Sequence, residues 1–163
     1  VGRVRGNRLR GVHITKSNIM LAWTLGGALT MYDLKTLKPI RSLAGGRGYI
    51  VNMQSDTRGA LLAAGGGDRR VTLYDLVTGG AIGEPINVPD DETTEIALRP
   101  DGRELAVGGS ETVGMQIWDL DPQHWITAAC QVAGRNLTRA EWEDNIGSLL
   151  DYRATCEGFP AAS

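Results

Sequence analysis

One phenylalanine, two histidines and two cysteines are found among 163 residues. Each shortage narrows what the chain can do. Two cysteines are too few for a disulfide scaffold. His13 and His124 stand far apart, with no second metal ligand at a diagnostic interval, which argues against a bound metal ion. The same scarcity argues against Ser-His-Asp or Cys-His catalysis, where a base must be oriented beside its nucleophile. Long apolar runs are also missing. Stretches such as Ala60-Leu61-Leu62-Ala63-Ala64 are far too short to cross a bilayer. With a formal net charge of −2 the chain has no overall field to draw it to nucleic acid or anionic lipid. No signal peptide is visible, and the first residue is valine, so the native start is expected to lie upstream.

What remains, 42% hydrophobic and 22% charged, is the composition of a globular chain with a real core. Glycine is abundant at 22 residues, and it separates short Val/Ile/Leu/Tyr segments. That pattern predicts many tight turns and many short strands. Self-comparison gives them an order. Tyr32-Asp33-Leu34, Tyr74-Asp75-Leu76 and Trp118-Asp119-Leu120 repeat, placing the aspartates 42 and 44 residues apart. Upstream of each lies a Gly/Ala-rich apolar segment, 18–25, 59–67 and 103–110. Turn signals at Ser55-Asp56-Thr57-Arg58-Gly59 and Arg99-Pro100-Asp101-Gly102-Arg103 follow the alternating segments 49–54 and 94–99. One unit reads strand, turn, strand, turn, strand ending in aromatic-Asp, turn, strand.

A four-stranded antiparallel unit with a period in the low forties resembles the WD-repeat β-propeller blade. The resemblance covers about 9–120 and rests on Tyr32-Asp33, Tyr74-Asp75, Trp118-Asp119 and the Pro100-Asp101-Gly102 turn. It implies structural roles for those aromatic-Asp pairs. Only Asp68 matches the family's aspartate between second and third strands, and Gly45-Gly46-Arg47-Gly48 stands where the family has Gly-His. About three blades are expected, the last without its outer strand. Propellers usually close with roughly 4–8 blades, since fewer leave edges and apolar faces uncovered. Residues 1–8 read as the end of a preceding blade or as a clasp strand, so 1–120 is a three-blade segment of a larger ring.

The third copy breaks off at Asp121-Pro122. Asp121 is a good N-cap and Pro122 suits the first helical position. Trp125, Ala128, Ala129 and Val132 follow at helical spacing, and Gly134 supplies a stop. Thr138-Arg139-Ala140-Glu141 has the spacing of a capping box, with Leu137 placed to staple onto Trp142. Trp142, Ile146 and Leu149 or Leu150 continue an apolar stripe. Residues 121–163 are therefore expected to form a helical hairpin and tail, with Trp125 and Trp142 packing on the last blade or on each other. Trp118 to Cys156, in particular Ala133-Gly134-Arg135-Asn136-Leu137-Thr138 and Tyr152-Arg153-Ala154-Thr155-Cys156, resembles the C-terminal signature of large bacterial regulators. These include STAND-type ATPases and related transcriptional regulators carrying a WD-repeat sensor. The resemblance implies that ATPase or DNA-binding parts would lie upstream.

Other candidates have plainer readings. Gly65-Gly66-Gly67-Asp68 and Gly26-Gly27 lie between strands, without the Gly-Lys-Ser/Thr helix opening that a phosphate cradle needs. Asp90-Asp91-Glu92 reads as a solvated loop, and Glu141-Trp142-Glu143-Asp144 as acid suited to a helix N-terminus. Asn136-Leu137-Thr138 fits the glycosylation pattern, but Thr138 is better read as the cap. Cys130 and Cys156 flank the hairpin and are candidates for a disulfide, with two buried thiols as the default in a cytoplasmic protein.

The expected function is a non-catalytic, cofactor-free interaction or sensor module, the C-terminal piece of a WD-repeat signalling regulator in the cytoplasm. Partners would be proteins bound at propeller loops or faces, the parent's upstream blades, or a second copy, with Val1–Gly6 pairing beside Met115–Asp119. Two alternatives stand beside it. Arg3, Arg5, Arg8 and Arg10 could contact nucleic acid, and a hydrolytic propeller is opposed by the histidine count.

Overall fold

The computed structural model describes residues 8–43, 49–88, 95–108 and 114–160. It is mainly β and divides into two compact units, one running to Asp119 and the other beginning at Leu120. The proposed Val1–Gly6 strand, Arg3 and Arg5, Gly45–Gly48 and Asp90–Glu92 lie outside the described residues.

The first unit contains three antiparallel sheets. The first is a meander of β1 (Leu9–Ile14), β2 (Ile19–Thr24), β3 (Leu29–Asp33) and β4 (Pro39–Leu43). The middle sheet repeats it with β5 (Ile50–Ser55), β6 (Leu61–Gly66), β7 (Arg70–Asp75) and β8 (Ile86–Asn87). The last has β9 (Glu95–Leu98), β10 (Glu104–Gly108) and β11 (Met115–Asp119). Among the described residues no barrel is closed. The register sets each aromatic-Asp phrase at the end of the third strand, with Asp33 opposite Ile19, Asp75 opposite Leu61 and Asp119 opposite Glu104.

Burial follows position in this row of sheets. In β6 every residue from Leu62 to Gly66 is buried, so both faces are covered and the alternating pattern gives way to small side chains. A core of Leu21, Leu29, Met31, Ile50, Met53, Leu62 and Tyr74 joins the first two sheets. β9 packs against β5 and β6 to add the third. Burial of one such leucine contributes about 1.5–3 kcal/mol. β4 and β11, by contrast, are exposed along most of their length. The outer strand of the middle sheet is short. Ala81 bridges Tyr74, then Gly83-Glu84-Pro85 interrupts before Ile86–Asn87 pairs with β7, as expected where proline lacks a ladder N–H.

The second unit holds α1 (Pro122–Ala133), α2 (Arg139–Asn145) and a 3-10 turn at Gly147–Leu149. The apolar face of α1 is not the one read from the sequence. Val132 is 90% exposed and Trp125 and Ile126 are half exposed. Cys130 is the one buried residue of α1, and Ile126, Ala129 and Ala133 line a cleft with it. The face is rotated by one residue because the returning tail, rather than a second long helix, supplies what it packs on. α2 ends at Asn145, so the expected stripe stops near Ile146, and Leu149 and Leu150 are exposed.

Candidate interaction surface

The turn after each third strand is built by its aspartate. Asp33 Oδ1 accepts from the backbone N–H of Lys35 and Thr36 at 3.1 and 2.6 Å. Asp75 Oδ1 accepts from Val77 and Thr78 N–H at 2.7 and 3.3 Å, while its Oδ2 accepts from the Thr78 hydroxyl at 2.9 Å. These are Asx turns. The Thr36 N–H holds the Asp33 carboxyl below its ordinary range, and the Thr78 hydroxyl does the same for Asp75. Carboxylates engaged in this way are anchored as anions, unsuited to proton transfer. The next residue ties the turn down, Leu34 N–H reaching Asn18 O at 3.0 Å and Leu76 N–H reaching Ala60 O at 2.7 Å. The aromatic partners differ in depth. Tyr74 is 1% exposed, its phenol pushed up by burial, whereas Tyr32 is half-buried and Trp118 is 40% exposed. Asp68 is exposed in the turn between β6 and β7, its carboxylate beside Gly66.

The first turns of the three sheets meet in series. Gly59, at φ +68°, leaves room for Ser17, since a Cβ there would stand 2.0 Å from the serine hydroxyl. The same turn then grips the last sheet. Thr57 donates both its N–H and its hydroxyl to Pro100 O at 2.8 Å, and Arg58 reaches Asp101 O at 3.4 Å. Beneath it Asp56 is buried and saturated, accepting from Ala60 N–H, Leu61 N–H and Arg58 Nε at 2.8, 3.0 and 3.0 Å. Inner strands are joined as well, by His13 Nε2 to Ser55 Oγ at 2.9 Å and by Asn52 to Glu95 at 2.8 Å. Burial lowers the His13 pKa, so it serves as a neutral bridging group. Among the described residues no group of three His, Cys, Asp or Glu is placed to hold a metal ion.

The last sheet ends differently. β11 pairs with β10, and among the described residues no fourth strand lies beyond it. Met115 and Ile117 are 70% and 71% exposed there, next to Trp118. An apolar edge strand with unpaired backbone groups is a pairing template. On the first sheet Leu9, Val12 and Ile14 of β1 are likewise exposed.

In the second unit Asp121 caps α1 by accepting from Gln123 N–H at 3.0 Å. Thr138 and Glu141 exchange hydrogen bonds, Glu141 N–H to Thr138 Oγ1 at 3.1 Å and Thr138 N–H to Glu141 Oε2 at 2.8 Å. Arg135 binds Glu141 in a fork, both bonds 2.7 Å. These partners, Arg135 foremost, bring the Glu141 carboxyl down to about 2. Trp142 is 2% exposed, lies edge-on to Tyr152 with centroids 5.5 Å apart, and donates its indole N–H to Leu150 O at 3.0 Å. Tyr152 closes the loop by donating its hydroxyl to Leu137 O at 2.8 Å.

The candidate disulfide is formed, and the role of Asn136 beside it is one that sequence reasoning missed. Cys130 and Cys156 form a disulfide, Cα atoms 5.4 Å apart, replacing the default of two thiols. The tail folds back along α1, which brings residues 26 apart in sequence together. Asn136 organises that return. Its Oδ1 accepts from Cys156 N–H at 2.7 Å, and its Nδ2 donates to Phe159 O at 2.8 Å and Pro160 O at 3.1 Å. A cleft of about 540 Å³, mostly apolar, lies between α1, α2 and the tail.

No protein-family model matches the chain. Over 77 residues it is 32% identical to the Periodic tryptophan protein 2 homolog of Schizosaccharomyces pombe. The likeness supports a WD-repeat β-structure. The matched stretch is 47% of this chain and 9% of the yeast protein, so the chain corresponds to a small part of that relative. In general terms the likeness also supports a protein-interaction module. No described helix is long and apolar enough to cross a membrane.

Proposed function

We propose that the chain is the non-catalytic interaction part of a WD-repeat signalling regulator, of the bacterial kind its tail resembles, working in the cytoplasm. In this reading, sheets from elsewhere in the parent or from a protein partner cover the two end sheets. One observation carries it: β11 offers Met115 and Ile117 on a strand that no described outer strand covers. The aspartates of the repeat support a scaffold role, since Asp33 and Asp75 are occupied by backbone donors. Self-association is the simplest substitute for a missing partner, because apolar edges left open pair with one another.

Sedimentation of the chain at micromolar concentration tests this reading. The expected result is a reversible associated species that Met115→Lys with Ile117→Lys removes while the β-sheet circular dichroism is unchanged. A monomer in both proteins contradicts the assignment of β11 as an interaction face.

A further inference from the structure

The second unit has very little to hold it folded. Among the described side chains between residues 120 and 160, the buried ones are Leu120, Cys130, Asn136, Trp142 and Cys156. Each helix contributes one of them, Cys130 from α1 and Trp142 from α2. A unit of about 40 residues rarely buries enough apolar surface to offset its conformational entropy, and such folds depend on disulfides, metals or association. Two of these five are the half-cystines, and their bond joins α1 to the returning tail. Tyr152 and Trp142 hold the start of the tail through Leu137 O and Leu150 O, while the bonds that hold its end cluster at the cross-link. Asn136 binds Cys156 N–H and the carbonyls of Phe159 and Pro160, all at or just beyond the cross-link. They hold the same stretch of tail that the disulfide ties to α1.

We propose that the Cys130–Cys156 bond is a redox clamp: the second unit is folded when the bond is closed and opens when a dithiol reduces it. The three sheets contain no cysteine and do not respond. In the reaction a thiolate of the reductant attacks one sulfur, the S–S bond breaks and a mixed disulfide forms. The second thiol of the reductant displaces the remaining sulfur. Two electrons and two protons pass to the protein, leaving thiols at Cys130 and Cys156, and the reductant departs as its disulfide. The cleft lined by both cysteines gives a small dithiol its way in. Opening removes the tail wall of that cleft, Leu150 to Cys156, together with the cover over Trp142. In a reducing compartment, where stable disulfides are rare, this makes the helical unit a conditional element beside constitutive sheets.

Hydrogen exchange on the whole chain, with and without dithiothreitol, tests the clamp. The expected result is that amides of 122–160, Trp142 and Cys156 among them, exchange roughly a hundredfold faster when reduced, as loss of a constraint on a loop of this size implies. Peptides from β5 to β7 should exchange at the same rate in both states, and reoxidation should restore protection. Cys130→Ser with Cys156→Ser should reproduce the reduced pattern without reductant and ignore added dithiothreitol. Equal protection in the oxidised and reduced chains would overturn the proposal, as would loss of protection in the sheets together with the helices.

Discussion

Trp23 donates its indole N–H to the carbonyl of Ile50 at 3.1 Å, and its six-membered ring occupies the space over Gly11. This pair pins the first sheet to the middle one through a single side chain. Trp23→Phe should cost about 1–3 kcal/mol, because Ile50 O loses its partner in a buried setting. Gly11→Val should cost about as much by overpacking, since even a Cβ would stand 2.3 Å from the ring. Urea denaturation followed by tryptophan fluorescence measures both, and an unchanged midpoint in either variant would contradict this joint.

Asp56 should be the least replaceable turn residue. Asp56→Ala leaves the half-buried Ala60 N–H and Leu61 N–H without their acceptor, at roughly 1–3 kcal/mol in all. Asp101→Ala, in a turn whose Arg99 ion pairs are solvent-exposed, should cost much less. Equal losses from the two variants in chemical denaturation would refute the distinction.

The capping box should titrate. The folded Glu141 pKa, about 2, is depressed from the ordinary 4.5. Its contribution is therefore fully present above about pH 4.5 and is lost as pH falls towards 2. Protection of the Thr138 and Trp142 amides, relative to the intrinsic exchange rate at each pH, should fall across that window. Glu141→Gln should flatten that pH dependence and weaken the cap at neutral pH. High salt should shrink the effect, because the Arg135 pair is half in solvent.

Trp142→Ala should destabilise the second unit by about 3–5 kcal/mol, enough to unfold it. Trp142→Phe keeps the edge contact with Tyr152 and loses the bond to Leu150 O, at about 1 kcal/mol. The helical circular dichroism signal reads both, and retention of full helicity in Trp142→Ala would show that the core lies elsewhere.

Asn136→Ala should resemble a partial loss of the disulfide. It strands Cys156 N–H, so roughly 1–3 kcal/mol is expected. The cystine should become easier to reduce, which titration against a glutathione couple measures.

What could be read from the chain depended on the distance over which each interaction acts. The turns at Asp33 and Asp75 and the Thr138–Glu141 exchange join residues two or three apart, so spacing alone carries them. The row of sheets was legible because its period repeats. Asp56 looked like any turn aspartate, and only the stacking of neighbouring turns buries it. Asn136 and the cystine depend on where the tail returns, a contact across some 20 residues that no local pattern encodes. The face of α1 differs from the expected one for the same reason, since its partner is an irregular segment without periodicity.

The serial contact between first turns joins unlike surfaces. In each pair, the glycine of one turn sits on the preceding sheet, Gly59 on Ser17 and then Gly102 on Asp56. Repeating one unlike contact is head-to-tail growth, with a polarity that runs along the chain from first sheet to last. Copies of this chain joined by that same contact would add three sheets at a time in one direction. Such a row closes only where the rotation between neighbouring sheets completes a circle, and it otherwise continues as an open spiral. The angle between adjacent sheets therefore decides whether assembly stops.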